Sequence, residues 1–287
     1  MSTTSRSGRR LAAPLLAEAR RRLATVAFDA PPREATLLLA HVLGRDEAAL
    51  IARPELEIGD AEATRFESLL ERRLQGEPIA YLVGEKEFYG RAFRVDRRVL
   101  VPRPETEHLV EAAVARARAV GGAPRILDLG TGSGAIAITL ALELPLASVT
   151  ATDVSIAALA VARANGDRLG ARVLLAAASM LAAVDVSAFD LVVANLPYVD
   201  PDAVAKREMQ VLRWEPSLAL FAGPAGLDRY RDLLEAAERL RPGALVLLEI
   251  GASQADAVTA LAAKYHLHRV ETQSDYAGHD RVLTLER

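Results

Sequence analysis

Ile126-Leu127-Asp128-Leu129 runs directly into Gly130-Thr131-Gly132-Ser133-Gly134-Ala135-Ile136-Ala137. An apolar strand, a glycine-rich turn and an apolar helix form the layout of a nucleotide-type cofactor site. Glycine lets the backbone pass close to a ligand, and ligands of open α/β sheets lie outside the carboxyl ends of the strands. The spacing is G-x-G-x-G, not the G-x-G-x-x-G of dinucleotide sites, and Asp128 stands inside the strand end. A turn that receives an anionic pyrophosphate gains nothing from a carboxylate beside it. S-adenosylmethionine has no phosphate, and its methionine end carries an ammonium that a carboxylate suits. The next strand ends at Asp153, about 20 residues past the turn, where an acid can chelate ribose hydroxyls. Asp153 also fits as the N-cap of a helix opening at Ser155. The two residues with the turn favour S-adenosylmethionine over a nicotinamide cofactor.

Outward from the turn, strand and helix patterns alternate. Strands are expected over Arg125–Leu129, Ser148–Thr152, Val173–Ala176, Asp190–Ala194 and Ala244–Glu249, with helices between them such as Ser155–Asn165 and Asp228–Leu240. This alternation predicts an α/β domain with a mostly parallel sheet and helices on both faces. Arg269–Thr272 and Asp280–Leu285 have no helix between them and predict an antiparallel pair closing one edge. Before the domain, Leu11 to Val83 reads as a small helical bundle. One helix opens after Pro31-Pro32 and ends at Gly44, and another runs from Gly59-Asp60 to Gly76. Between them and the α/β region come short β-like runs, Phe88-Tyr89, Ala92–Val95 and Val99–Val101, then Pro102-Arg103-Pro104-Glu105 capping a helix to about Val120. The expected organisation is a helical domain over 1–84, a hairpin connector over 85–105 and a methyltransferase domain over 106–287.

Phe189–Ala194 exits into Asn195-Leu196-Pro197-Tyr198. The stretch could be an Asx-type turn with a core tyrosine; opposite the glycine turn, a reaction site is the better reading. An amide or aromatic amino nitrogen is a poor nucleophile because its lone pair is delocalised. Holding its two N–H bonds with acceptors aims the lone pair at the methyl carbon. Asn195 can accept one, a carbonyl in the Leu196-Pro197 turn the other, and Tyr198 can pack on the planar group. These contacts strengthen as positive charge develops on nitrogen.

Other chemistries are set aside. The chain contains no cysteine, which removes thiol nucleophiles, thiolate zinc and iron–sulfur sites. His41, His108, His266, His268 and His279 are not placed at metal-ligand spacing, so no metal site is expected. Ser133 lies in G-S-G and not in a G-x-S-x-G elbow. A formal net charge of −3 argues against nucleic acid as the main partner. Arg9-Arg10 precede an apolar run broken by Glu18 and Arg20-Arg21-Arg22, which reads as a frayed tail entering an amphipathic helix. No membrane span is expected, and the location expected is cytoplasmic. Trp214 is read as a buried anchor, and Arg20-Arg21-Arg22 and Arg72-Arg73 as solvated helix faces.

With these residues in hand, the chain resembles the release factor glutamine N5-methyltransferases, the PrmC/HemK family. The resemblance covers nearly all of it. It includes Gly76–Tyr81, Phe88-Tyr89-Gly90, Leu100–Glu107, Asp128–Gly134, Asp153, Asn195–Tyr198, Leu248–Gly251, Asp275-Tyr276 and Asp280–Val282. Val-Pro-Arg-Pro-Glu-Thr-Glu at 101–107 is its most specific part, since generic methyltransferases lack it. The resemblance implies a class I methyltransferase, Rossmann-like, with a seven-stranded sheet and a small N-terminal helical bundle. It implies that Gly130, Thr131, Gly132, Ser133, Gly134, Asp153, Met180 and Asn195 bind S-adenosylmethionine. Asn195, Leu196, Pro197 and Tyr198 would form the glutamine pocket, with Asn195, Pro197 and Tyr198 the catalytic set. The partner would be a class I peptide chain release factor, docked partly by the N-terminal helices and methylated on the glutamine of Gly-Gly-Gln by a monomeric enzyme. The alternative is a DNA or RNA amino methyltransferase acting on adenine N6, cytosine N4 or guanine N2, which shares the Asn-to-Tyr loop chemistry. Two residues depart from the family pattern. Leu196 replaces the first proline of N-P-P-Y, and Met180 stands where an aromatic is frequent. Pro197 still holds residue 196 extended, and methionine can pack on a purine.

Overall fold

The computed structural model describes residues 10–26, 31–181, 184–202, 204, 205, 209 and 212–287. The chain divides into two compact units, Met1–Gly84 and Glu85–Arg287.

In the first unit, α1 (Ala12–Ala24), α2 (Pro31–Leu43), α3 (Glu47–Ala52), α4 (Asp60–Leu74) and α5 (Ile79–Val83) accompany a short ladder of β1 (Arg10–Leu11) and β2 (Glu57–Ile58). Leu16, Ala19 and Leu23 on α1, Ala35, Leu38 and Leu39 on α2, and Ala63, Phe66 and Leu70 on α4 follow three- and four-residue intervals and bury together. Asp46 caps α3 with its side chain, and Glu62 reaches back to the Gly59 amide at the start of α4. Of the pair expected on a solvated helix face, Arg72 is exposed and Arg73 is not. Arg73 is buried and donates from Nε and Nη2 to both Glu34 carboxylate oxygens at 2.8 Å. Arg72 binds Glu77 in the same forked way. Planar guanidinium forks matched to carboxylates let such charges leave water. Arg22 likewise pairs with Glu67 and Glu71.

The second unit begins with the hairpin of β3 (Glu85–Phe88) and β4 (Arg91–Arg94), where Phe88 and Phe93 meet edge to face at 6.0 Å in the core. Tyr89 and Gly90 turn the chain with positive φ. The third β-like run, Val99–Val101, forms no strand. The Val101 amide donates to the buried Glu215 carboxylate at 3.0 Å, and Pro102 beside it has no amide to offer a ladder.

There follow α6 (Thr106–Val120), β5 (Arg125–Leu129), α7 (Ala135–Glu143), β6 (Ser148–Asp153), α8 (Ile156–Leu169), β7 (Leu174–Ala177), β8 (Leu191–Ala194), α9 (Asp228–Ala237), β9 (Leu245–Glu249), α10 (Ala255–Ala263), β10 (His268–Ser274) and β11 (Asp280–Glu286). Among the described residues seven strands form one sheet in the order β10-β11-β9-β8-β5-β6-β7. β5 to β9 run parallel, and β11 lies antiparallel between β9 and β10, as the absence of an intervening helix predicted. One face buries Leu127, Leu129, Val192 and Val246 against Tyr230, Leu233 and Val258, carried by α9 and α10. The other buries Ile126, Val193 and Leu247 against Leu109, Val110 and Ile136 of α6 and α7. Both faces are covered, which is why these strands read as continuous apolar runs.

Asn165 of α8 ties three parts together. It is fully buried, its Oδ1 accepts from the Arg94 amide at 2.8 Å, and its Nδ2 donates to the Arg94 and Ser133 carbonyls at 3.0 and 2.8 Å. The hairpin and the glycine turn are thereby anchored to one amide. Asn165→Ala strands a buried amide and two carbonyls, and is expected to lower stability by about 3 kcal/mol. Urea unfolding checks this; a loss below about 1 kcal/mol would show that the bridge is dispensable.

Candidate functional site

The sheet order reverses between β5 and β8. From β5 the chain steps to β6 on one side, whereas β8 pairs on the other. The loops leaving the carboxyl ends of these two strands therefore diverge and leave a crevice. A cavity of about 230 Å³ lies there, walled by Leu129, Gly130, Gly132, Asp153, Val154, Met180, Asn195, Leu196, Pro197 and Leu218, among others.

Its floor is the glycine turn. The Gly130 and Thr131 amides donate to the Thr152 carbonyl at 2.9 and 3.0 Å, and the Gly132 amide donates to Asp153 Oδ2 at 2.9 Å. Asp153 is not the N-cap of α8. That role falls to Ser155, whose hydroxyl accepts from the Ala158 amide, while Asp153 Oδ1 accepts from the Ser155 amide. The acid holds the turn and faces the cavity at once. Gly130, Gly132, Asp153, Met180 and Asn195 all line the cavity; Thr131, Ser133 and Gly134 do not. Thr131 and Ser133 are buried behind the turn. Gly134 has φ +83°, and a Cβ there would stand 2.6 Å from Ile138 Cδ1 and 3.2 Å from Ala162 Cβ. Its glycine serves the close approach of α7 and α8. Met180 is left-handed at φ +49°, an uncommon backbone for an unbranched apolar residue.

The donor set suits a nucleoside with an amino-acid tail. Asp153 offers a carboxylate to a ribose diol, and Val154, Met180 and Leu218 offer an apolar wall to a purine. Asp128 does not reach the wall. It is fully buried, and neither carboxylate oxygen makes a well-formed hydrogen bond, the Thr131 hydroxyl and Ala137 amide offering only weak ones. Burial pushes its carboxyl up to about 7; the Thr131 hydroxyl and Ala137 amide restrain it only in part, and the Asp153 charge adds to the rise.

A second cavity of about 240 Å³ opens on the other side of the β8 loop. Leu100, Arg103, Asn195, Leu196, Pro197, Tyr198 and Glu249 are among its walls. Asn195, Leu196 and Pro197 belong to both cavities, so this turn is the partition where they meet. Leu196 is itself buried in the core beneath α9, with Cδ2 lying 3.7 Å from where a Gly130 Cβ would be. Tyr198 is braced from two sides. Its hydroxyl donates to Glu249 Oε1 at 3.3 Å, and its carbonyl accepts from Gln254 Nε2 at 3.3 Å. Gly226 packs so closely that a Cβ would stand 2.0 Å from the Tyr198 carbonyl oxygen. Burial, with the Glu249 charge beside it, raises the Tyr198 phenol well above its ordinary range and keeps it a neutral donor.

Three groups at the site had no role assigned from the sequence. Glu249 ends β9 fully buried and accepts from the Thr106 hydroxyl at 2.6 Å. Burial pushes its carboxyl up to about 6, the Thr106 and Tyr198 hydroxyls draw it back, Glu105 raises it and Arg281 lowers it. Thr106 in turn accepts from Asn195 Nδ2 at 3.1 Å. Glu215 binds the Arg103 guanidinium and the Val101 amide. Trp214 beside it is half-buried, with Arg97 over its ring at 4.6 Å, so the buried anchor of that segment is the glutamate and not the tryptophan. The legible signal was an acid at the end of an apolar strand in Leu248-Glu249-Ile250, the same pattern that marked Asp153.

Residues 14–84 match the PrmC N-terminal domain model, and 106–213 match the methyltransferase small domain model. The chain is 44% identical to a release factor glutamine methyltransferase of Cereibacter sphaeroides, over 95% of this chain and 97% of the relative. It is 46% identical to a release factor glutamine methyltransferase of Moorella thermoacetica, over the same shares. A methyltransferase structure from Pyrococcus furiosus superimposes with a TM-score of 0.52 at 20% identity, over 70% of this chain and 90% of that one, and shares the fold.

Asp128 makes stability depend on pH. Its folded pKa is raised, so the folded chain holds a proton that the unfolded chain releases from about pH 4, and stability falls as pH rises toward about 7. Asp128→Asn is expected to raise the melting temperature relative to the parent more at pH 8 than at pH 5. An equal difference at both would mean that the acid is not destabilised by burial.

Proposed function

The chain belongs to the release factor glutamine methyltransferase family, and from that premise we propose that it methylates the side-chain amide nitrogen (N5) of the glutamine in the Gly-Gly-Gln motif of peptide chain release factors. The observation that carries the reading is the shared partition. One cavity suits S-adenosylmethionine, the other a planar amide, and Asn195, Leu196 and Pro197 face both.

S-adenosylmethionine would supply an electrophilic methyl carbon, with S-adenosylhomocysteine the thioether left when the methyl C–S bond breaks. Gly130, Gly132, Asp153, Met180 and Asn195 would hold the donor, with Thr131, Ser133 and Gly134 shaping the turn from behind. Asn195 Oδ1 accepts one N–H of the substrate amide, and a backbone carbonyl of the 196–197 turn accepts the other. The lone pair is then directed at the methyl carbon without any group having to deprotonate the amide. As positive charge grows on nitrogen both acceptors bind it harder. Tyr198 packs beside the planar group, and the proton that the methylated nitrogen sheds passes to water. No His or Lys is needed. Leu196 supplies a backbone carbonyl as a proline would, and adds buried apolar surface.

The N-terminal helical unit, which matches the PrmC N-terminal domain, contributes to docking the release factor. The enzyme acts as a monomer in the cytoplasm, where release factors work, and does not take nucleic acid as substrate. No described helix is long and apolar enough to cross a membrane.

Transfer of labelled methyl is compared among release factors, the same factors with the Gly-Gly-Gln glutamine changed to alanine, and mixed DNA and RNA. Label is expected only in the intact factors. Label in nucleic acid would favour an amino methyltransferase using the same loop. Asn195→Ala is expected to lower kcat by a factor on the order of 100 with cofactor affinity largely kept; near-normal turnover would contradict the mechanism.

A further inference from the structure

An asparagine side chain fits its site equally well in two orientations related by a half-turn, with either oxygen or nitrogen facing forward. At the junction of the two cavities only the oxygen is useful, because the substrate amide presents N–H. Something must choose. Thr106 and Glu249 are 3% and 1% exposed. The Thr106 hydroxyl donates its single proton to Glu249 Oε2 at 2.6 Å, and an ionised carboxylate can only accept. Toward Asn195, Thr106 therefore presents lone pairs alone, and Asn195 Nδ2 donates to them at 3.1 Å. The reversed amide would set two acceptors against each other in a buried place. The carboxylate is itself pinned. Its other oxygen accepts from the Tyr198 hydroxyl at 3.3 Å, and the Glu249 carbonyl accepts from the Tyr230 hydroxyl at 2.8 Å.

We propose that Thr106 and Glu249 are positioning residues, a relay that fixes the polarity of the Asn195 amide and turns its oxygen toward the substrate. The inference rests on the reading of Asn195 as acceptor for the substrate amide. It gives a reason for a threonine at the first turn of α6, in Pro104-Glu105-Thr106-Glu107, and for a buried acid at the end of β9.

Thr106→Val keeps the shape and removes the hydroxyl, whereas Thr106→Ser keeps the hydroxyl. Steady-state methyl transfer to a release factor is measured for the wild type, both variants, Asn195→Ala and the Asn195→Ala/Thr106→Val double variant. Thr106→Val is expected to lower kcat about tenfold or more while KM for the release factor changes less than about threefold. Thr106→Ser recovers most of the loss, and Thr106→Val adds little in the Asn195→Ala background. Wild-type kcat in Thr106→Val, equal damage in Thr106→Ser, or a full additional loss in the double variant would each overturn the relay. A second arm reads the relay without turnover. The Asn195 side-chain amide is followed by nitrogen-edited NMR, assigned by its loss in Asn195→Ala. Slow exchange of one amide proton with water is expected in the wild type and in Thr106→Ser, and fast exchange in Thr106→Val. Unchanged exchange in Thr106→Val would overturn the relay whatever the substrate. Absence of methyl transfer by the wild type would instead contradict the proposed function, and the exchange arm would still decide the relay.

Discussion

Between β5 and β8 the sheet turns back on its own order, and two neighbouring parallel strands send their chains to opposite sides. Among the described residues a crevice opens above them, because each loop leaves to cover its own half of the sheet. The other features of the site are consequences of that divergence. The glycine turn must stay low enough to leave the crevice open. The β8 loop must stand upright as a wall, and the wall divides the crevice into two cavities of similar size. A group transfer needs two ligands that touch at one point, and the Asn195-Leu196-Pro197 turn, joined by Leu100 and Ala219 in lining both cavities, provides that arrangement.

Carboxylates hold the loops in place. Asp153 at the end of β6 binds the Gly132 and Ser155 amides, and Glu249 at the end of β9 receives the Thr106 and Tyr198 hydroxyls. Glu215 gathers Val101 and Arg103 from the segment that precedes α6. Each acid is placed where backbone amides or hydroxyls converge, and each fixes a loop whose own sequence would leave it free to move. Asp128 is the exception, since it is fully buried and neither of its oxygens makes a well-formed hydrogen bond. Its burial costs stability as pH rises, a pattern of strain that recurs at functional sites.

Much of this was legible in the residues. The alternation of apolar runs with helical periods predicted the parallel sheet, because strands covered on both faces must be apolar throughout. The glycine spacing and Asp153 located the first cavity, and Asn195 to Tyr198 located the wall. Local pattern was less able to separate contact from support. Thr131, Ser133 and Gly134 belong to the same motif as Gly130 and Gly132, yet they sit behind the turn, and Gly134 answers to a helix–helix approach that only the folded chain reveals. Val99–Val101 carries strand-like residues, but its amide found a glutamate from a segment more than a hundred residues away. Arg73 looked solvated because its partner, Glu34, lies on another helix. Thr106, Glu249 and Asn165 do their work through hydrogen bonds between distant segments, for which one sequence carries no periodic signal.

Whether methyl donor and amide meet at the Asn195 partition is decided by a crystal structure of the enzyme with S-adenosylhomocysteine and a release factor. The nucleoside is expected against Asp153 and Met180, and the glutamine amide nitrogen within hydrogen-bond distance of Asn195 Oδ1, facing the sulfur across the turn. A glutamine seated away from Asn195, or an Asn195 that presents its nitrogen to the substrate, would contradict that placement.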